Sequence, residues 1–191
     1  TFNVIINPVN DLPTLDAIAD PAAILEDVGL QTVNLSGITA GVDESQPLRV
    51  TATSSNTSLI PNLILNYTSD AATGSLAFTP VADQFGTTTI IVTVEDGGFD
   101  NDLAIAADNG TFSRNFDVTV NPVNDAPQAS DVMYNPLENQ PFVKDTVNGL
   151  ATLVTDIDSA ILTFFVDSDP GNGSLSLNTN GSFIYTPDDN F

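Results

Sequence analysis

FNVIINPVND at residues 2–11 returns as FDVTVNPVND at residues 116–125, with seven of the ten positions identical. The second stretch starts 114 residues after the first (116 against 2). GSLAFTP at 74–80 likewise returns as GSFIYTP at 181–187. An interval near a hundred residues is the size of one folded domain, well beyond the roughly 20–50 of solenoid repeats. The chain therefore reads as a string of similar beads. Such strings set distance, display a function or adhere, and rarely catalyse.

The quoted stretch also shows how each bead is built. FDVTV alternates apolar and polar residues with period two, the mark of a half-buried strand. NPVND then stops the strand, because Pro has no N–H to give a ladder. Working outward, the same punctuation predicts strands at 14–19, 22–25, 30–35, 47–54, 62–68, 74–79, 87–95 and 111–120. One strand every 8–15 residues fits an all-β chain of tandem antiparallel β-sandwiches. TTTIIVTVE (87–95) is expected to lie centrally and to pair with FSRNFDVTV (112–120) across an enlarged hairpin loop. No sustained helical stripe is present, although LAIAA (103–107) suits a short helical turn.

The second copy offers strands near 131–135, 150–154, 160–166, 174–177 and 181–186, and stops at Phe191, the position matching Phe85. The expected organisation is a terminal strand of a preceding repeat (1–9), a complete sandwich (10–122) and a partial one (123–191) that lacks its last two strands. Three explanations stand side by side. The sequence simply ends there, which is the simplest; a neighbouring chain supplies the strands by complementation; or the tail is unfolded in isolation.

Composition removes whole classes of function. There are 25 acidic residues against 3 basic ones (Arg49, Arg114 and Lys144), for a net charge of −22. Such a chain will not bind nucleic acid, whose affinity rests on cationic contacts to phosphate, and should avoid anionic membrane surfaces. With no Cys and no His, thiolate nucleophiles, disulfides, zinc sites and Ser-His-Asp chemistry are out of reach. No run of 18 apolar residues exists to span a membrane. Carboxylate pairs do glycosidase work, but there is no Trp for sugar stacking and only three Tyr (67, 134 and 185). The expectation is that this is not an enzyme.

At the joints, FDVTVNPVNDAP resembles the linker of cadherin-like tandem repeats. LDAIADPAAILEDVGLQTVNLSGI, TATSSNTSLIPN, FTPVADQFGTTTIIVTVEDGG, and DIDS with GSFIYTPDDNF in the second copy are similar to the Ig-like/cadherin-like repeats of large bacterial surface adhesins. The resemblance implies tandem sandwiches outside the cell, at the surface or secreted, with calcium stiffening each joint. By the same resemblance the linker ligands would be Asn7, Asn10 and Asp11 at the first joint and Asn121, Asn124 and Asp125 at the second. The acid early in a repeat matches Glu26, and Glu138 in the next copy. The D-x-D pair matches Asp156 and Asp158, with Asp43 and Glu44 at shifted spacing in the first copy. Asp83 and Asp96 match the acids flanking the penultimate strand. Asn7 and Asn121 stand where cadherins carry Asp, one negative charge fewer per joint.

Calcium takes six to eight oxygens, several from carboxylates; the competing reading is that Asp and Asn gather at sandwich ends because turns need them. The Pro in each linker limits the joint's angles without any metal. Loop 95–110 holds Asp100-x-Asp102 but lacks the Gly and closing Glu of an EF-hand, so it reads as a solvated hairpin loop. Asn-x-Ser/Thr sequons at Asn34, Asn56, Asn66, Asn109, Asn172 and Asn180 matter only if the host glycosylates. An isopeptide would have to use Lys144, the sole lysine. The expected function is a structural or adhesive segment, a stalk or adhesin, whose partners are the neighbouring repeats. The alternatives are a filament subunit assembled from copies of itself by β-strand exchange, and a partner- or glycan-binding module using loop 95–110.

Overall fold

The structure, a computed structural model, describes Asn3 and residues 9–190. The predicted strand over 2–6, apart from Asn3, and the predicted ligand Asn7 lie outside the described residues. The chain divides into two compact units, residues 1–123 and 124–191.

Unit 1 is a β-sandwich. One sheet contains β1 (Ile24–Leu25), β3 (Leu48–Ser54), β6 (Gly86–Asp96) and β7 (Thr111–Asn121), in the spatial order β1-β7-β6-β3. The other contains β2 (Gln31–Ser36), β4 (Leu63–Asn66) and β5 (Thr73–Phe78), in the order β2-β5-β4. The central position expected for 87–95 is that of β6, which pairs antiparallel with both β3 and β7. Period two decides which side chains meet. Ile90, Val92 and Val94 of β6 and Phe116, Val118 and Val120 of β7 are buried against Leu35, Leu76 and Phe78 of the opposite sheet. The outer face of the same strands carries Thr87, Thr89, Thr93, Ser113 and Asp117, which hydrogen-bond across the ladder.

Unit 1 is the expected antiparallel sandwich with one parallel pair at its edge, and two local expectations are corrected. At that edge β1 runs parallel to β7, with Ile24 opposite Val120. Two residues beside a long strand suffice for this, since no hairpin has to close. Residues 14–19 form no strand beyond a Thr14–Thr39 bridge and an Asp16 N–H to Ser36 bond, because Pro13 and Pro21 flank a segment too short to build a ladder. LAIAA forms turns rather than a helix.

Unit 2 repeats the smaller sheet. β9 (Phe142–Lys144), β11 (Gly173–Leu177) and β12 (Phe183–Pro187) lie in the order β9-β12-β11, as β2, β5 and β4 do in unit 1. The second sheet is only β8 (Gln128–Ala129) against β10 (Val154–Thr155). Neither 131–135 nor 160–166 forms a strand, and 150–153 is a 3-10 turn, while β9 escaped the sequence reading. Exposure still alternates over 161–165, with Ile161 and Phe165 exposed and Leu162 and Phe164 half-buried. The inner face of β9-β12-β11 gathers Tyr134, Phe142 and Phe183 with ring centroids 5.2–6.1 Å apart. A cavity of about 380 Å³ opens there, bounded also by Leu175 and Tyr185.

Candidate cation site at the head of the first unit

The alternation that buries Val94 also points its second neighbour, Asp96, inward at the last position of β6. Asp96 is fully buried. Its Oδ1 accepts three hydrogen bonds: from the N–H of Gly98 (2.9 Å), the N–H of Gly110 (2.8 Å) and Asn10 Nδ2 (3.2 Å). Its Oδ2 is buried without a hydrogen-bond partner. Gly110 makes room for that oxygen, since a Cβ there would stand 2.5 Å from Oδ2 and 3.1 Å from Pro13 Cδ.

Around Asp96 the linker is tied down. Asn10 Nδ2 also donates to the Asp108 carbonyl, and Asn10 Oδ1 accepts from Gln46 Nε2 at 2.7 Å. Gln46 is buried and its Oε1 is unpartnered, as is the buried Oδ1 of Asn109. The N–H of Asp11 donates to both oxygens of Glu44, at 3.1 and 3.2 Å. Gly41 permits this closure: its φ of +132° is left-handed, and a Cβ would lie 2.8 Å from Asp11 Cβ and 3.0 Å from Glu44 Oε2. Beside the site, the Asn109 carboxamide and then the Arg49 guanidinium hold the Glu95 carboxyl below its ordinary pKa.

The head of unit 1 thus joins Asn10 and Asp96 of the expected ligands through hydrogen bonds that add Gln46, and beside them the Asp11 N–H meets Glu44, the acid expected at shifted spacing. A buried carboxylate oxygen and two carboxamide oxygens lacking hydrogen bonds are a donor set that fits a hard, oxygen-seeking cation such as calcium. Gln46 escaped the sequence reading, and no local signal marks it. The acids of loop 95–110 are spent on the loop itself: Asp100 accepts from Asp102 N–H, Asp102 from Ala104 N–H, and Asp108 from Phe99 N–H.

The remaining expected ligands stand elsewhere. In unit 1, Glu26 is buried, bonds the N–H of Val123 through Oε1 at 2.6 Å and leaves Oε2 unpartnered. Its N–H takes the Asn121 carbonyl, while Asp83 N–H donates to Asp27, an acid the sequence reading passed over. In unit 2, Asp125 N–H donates to Asp158 Oδ2, and Asp156 Oδ1 accepts from the N–H groups of Asp158 and Ser159. Asn124 is exposed and bonds the Asp125 carbonyl; Glu138 is exposed, unlike Glu26.

The two copies share one contact. Asp11 reaches Glu44 and Asp125 reaches Asp158, each across 33 residues. Glu44 therefore corresponds to Asp158, and Val42, rather than Asp43, occupies the place of Asp156.

Residues 124–191 match the family model of a bacterial Ig domain. No curated protein matches the chain. Among solved structures, extracellular cadherin domains 1–5 of protocadherin gamma B2 are similar at a TM-score of 0.55 and 14% identity, over 97% of this chain and 35% of that one. The titin Z1Z2 domains in complex with telethonin follow at 0.39 and 12%, over 96% and 85%. An endo-fucoidan hydrolase of glycoside hydrolase family 107 follows at 0.42 and 18%, over 97% and 25%. The chain spans about a third of the protocadherin segment and a quarter of the hydrolase. At these identities the likeness is one of fold, and only the protocadherin match is close enough to carry weight. Its strands, its sheet order and the protocadherin likeness give the chain an Ig-like/cadherin-like β-sandwich fold, and residues 124–191 carry the bacterial Ig match.

Proposed function

We propose that the chain is a structural or adhesive segment of an extracellular surface protein, whose sandwiches bind calcium at their heads and are stiffened by it. The observation that carries this reading is Asp96. A buried carboxylate with one oxygen saturated by three N–H donors and the other unpartnered is costly unless a cation completes it. The acids Glu26, Asp27 and Asp83 of unit 1 and Asp125, Asp156 and Asp158 of unit 2 are further ligands in this reading. A net charge of −22 supports it from another side, because like-charged beads repel and divalent cations relieve that repulsion. The role is mechanical rather than enzymatic, its partners are neighbouring repeats, and its setting is the cell surface or the medium. Among the described residues no helix is long and apolar enough to cross a membrane.

Calcium chloride titrated into metal-stripped protein, followed by calorimetry and small-angle scattering, tests the reading. Saturable heat with a stiffer particle is expected. Absence of heat would reject it and leave the orphaned oxygens to water.

One observation favours a second reading, assembly by strand exchange: an apolar cavity of about 380 Å³ opens on the inner face of β9-β12-β11. Light scattering behind size-exclusion chromatography separates the two. A monomer at every concentration rejects exchange.

A further inference from the structure

Asn-Gly occurs at 109–110, 148–149, 172–173 and 180–181. A glycine has no side chain to shield its nitrogen, so that nitrogen can attack the carboxamide carbon of the preceding Asn wherever both groups are free. The fold occupies these groups at all but one of the pairs. Gly110 N–H donates to Asp96 Oδ1, and Asn109 Nδ2 to Glu95 Oε1. Gly181 N–H donates to the Asn178 carbonyl, while Asn180 Oδ1 accepts the N–H and the hydroxyl of Ser182. Asn148 Nδ2 donates to Asp145 Oδ1, and Gly149 is buried.

Asn172 differs. It is exposed in the turn that enters β11, and its carboxamide bonds nothing among the described residues. Its carbonyl accepts Asp188 N–H at 3.3 Å, which makes Gly173 and Pro187 a non-hydrogen-bonded pair of the β11-β12 ladder. Gly173 N–H therefore points away from β12. Because β11 is the outer strand of its sheet, that N–H is left to solvent. Packing imposes the glycine, since a Cβ at 173 would collide with the Thr186 carbonyl oxygen.

We propose that Asn172–Gly173 is a self-modification site. Gly173 N bonds to Asn172 Cγ, the Cγ–Nδ2 bond breaks, and the proton of the attacking N–H leaves with Nδ2 as ammonia. Water then opens the cyclic imide at either carbonyl, giving aspartate or isoaspartate. Each product adds a negative charge. Isoaspartate also inserts a methylene into the backbone and displaces the Asn172 carbonyl, which accepts the Tyr185 hydroxyl at 2.7 Å. Tyr185 bounds the aromatic cavity, so the conversion loosens a wall of that cavity. The site belongs to unit 2 alone and does not depend on the calcium reading.

The test is ageing of the whole 191-residue chain in mildly alkaline buffer, folded and unfolded in guanidinium chloride, with peptide mapping by mass spectrometry at intervals. Bonds must open before Asn109 or Asn180 can react, so Asn172 should convert about tenfold faster than either in the folded chain. In the unfolded chain the rates should converge. Asn172→Gln, whose longer side chain closes the ring far more slowly, should leave the folded chain without the fast product. Another Asn-Gly pair converting as fast as Asn172 in the folded chain would overturn the proposal. So would an Asn172 that converts only when the chain is unfolded.

Discussion

Replacing Asp96 separates its two jobs. In Asp96→Ala the buried N–H groups of Gly98 and Gly110 lose their acceptor. Each buried unsatisfied donor costs about 1–3 kcal/mol, so the loss is about 2–6 kcal/mol with or without calcium. Asp96→Asn keeps a carbonyl oxygen at the Oδ1 position and removes the buried charge. Without calcium it should cost less than the Ala variant, because the two backbone donors keep their acceptor and the buried charge is gone, while the new amide N–H groups at the Oδ2 position lack a partner. With calcium at a hundred times its dissociation constant, the parent gains about 2.7 kcal/mol by mass action. The Asn variant gains none of this at the head of unit 1. The assay is urea unfolding of the three proteins followed by circular dichroism, in chelator and in calcium chloride. The expected order is parent above Asn above Ala in chelator, and the same order with a wider gap between parent and Asn in calcium. If the Asn variant fell as far as the Ala variant in chelator, the assignment of Oδ1 to the two backbone donors would be refuted. An undiminished calcium shift in the Asn variant would refute Oδ2 as a ligand.

Phe116→Ala, removing a side chain packed between the sheets, should destabilise unit 1 by about 3–5 kcal/mol and leave calcium heat unchanged under folded conditions. Gly41→Ala should weaken calcium binding at the head and cost about 1–3 kcal/mol, read by the same denaturation, because the left-handed φ and the approach to Asp11 are both violated. Tyr67 should titrate above an ordinary tyrosine when ionisation is followed by ultraviolet absorbance, since burial and then the Asp70 charge raise its pKa. A raised pKa in the folded state means that stability is present below the unfolded value of about 10 and declines as pH rises through the folded one. Tyr67→Phe should remove both the high titration and that decline. Its hydroxyl is buried without a partner, so the substitution should cost little at neutral pH.

Much of unit 1 is legible without coordinates, because β6 and β7 carry long period-two patterns and one buried face enforces them. Unit 2 was harder to read. Residues 161–165 alternate in exposure as a strand does, yet bond through Phe164 N–H to the Thr179 carbonyl rather than in a ladder. Asp96 is a different case: counting by twos from Ile90 already places it on the inner face, so its burial was readable. Glu44 was in view only at shifted spacing; the 114-residue offset of the linkers, carried back from Asp158, puts it in register.

The sequence by itself determined the repeat, the strands of the first bead, their inward faces and the inward acid at the end of β6. These follow from local alternation and from where Pro and Gly interrupt it. Only the tertiary structure decided that Gln46 lies buried against Asn10, that Asp11 closes on Glu44 and that β1 runs parallel to β7. Those contacts join residues 33 to 96 positions apart. Local patterning does not encode such closures; they are set by how two sheets stack and where the linker is held against their end.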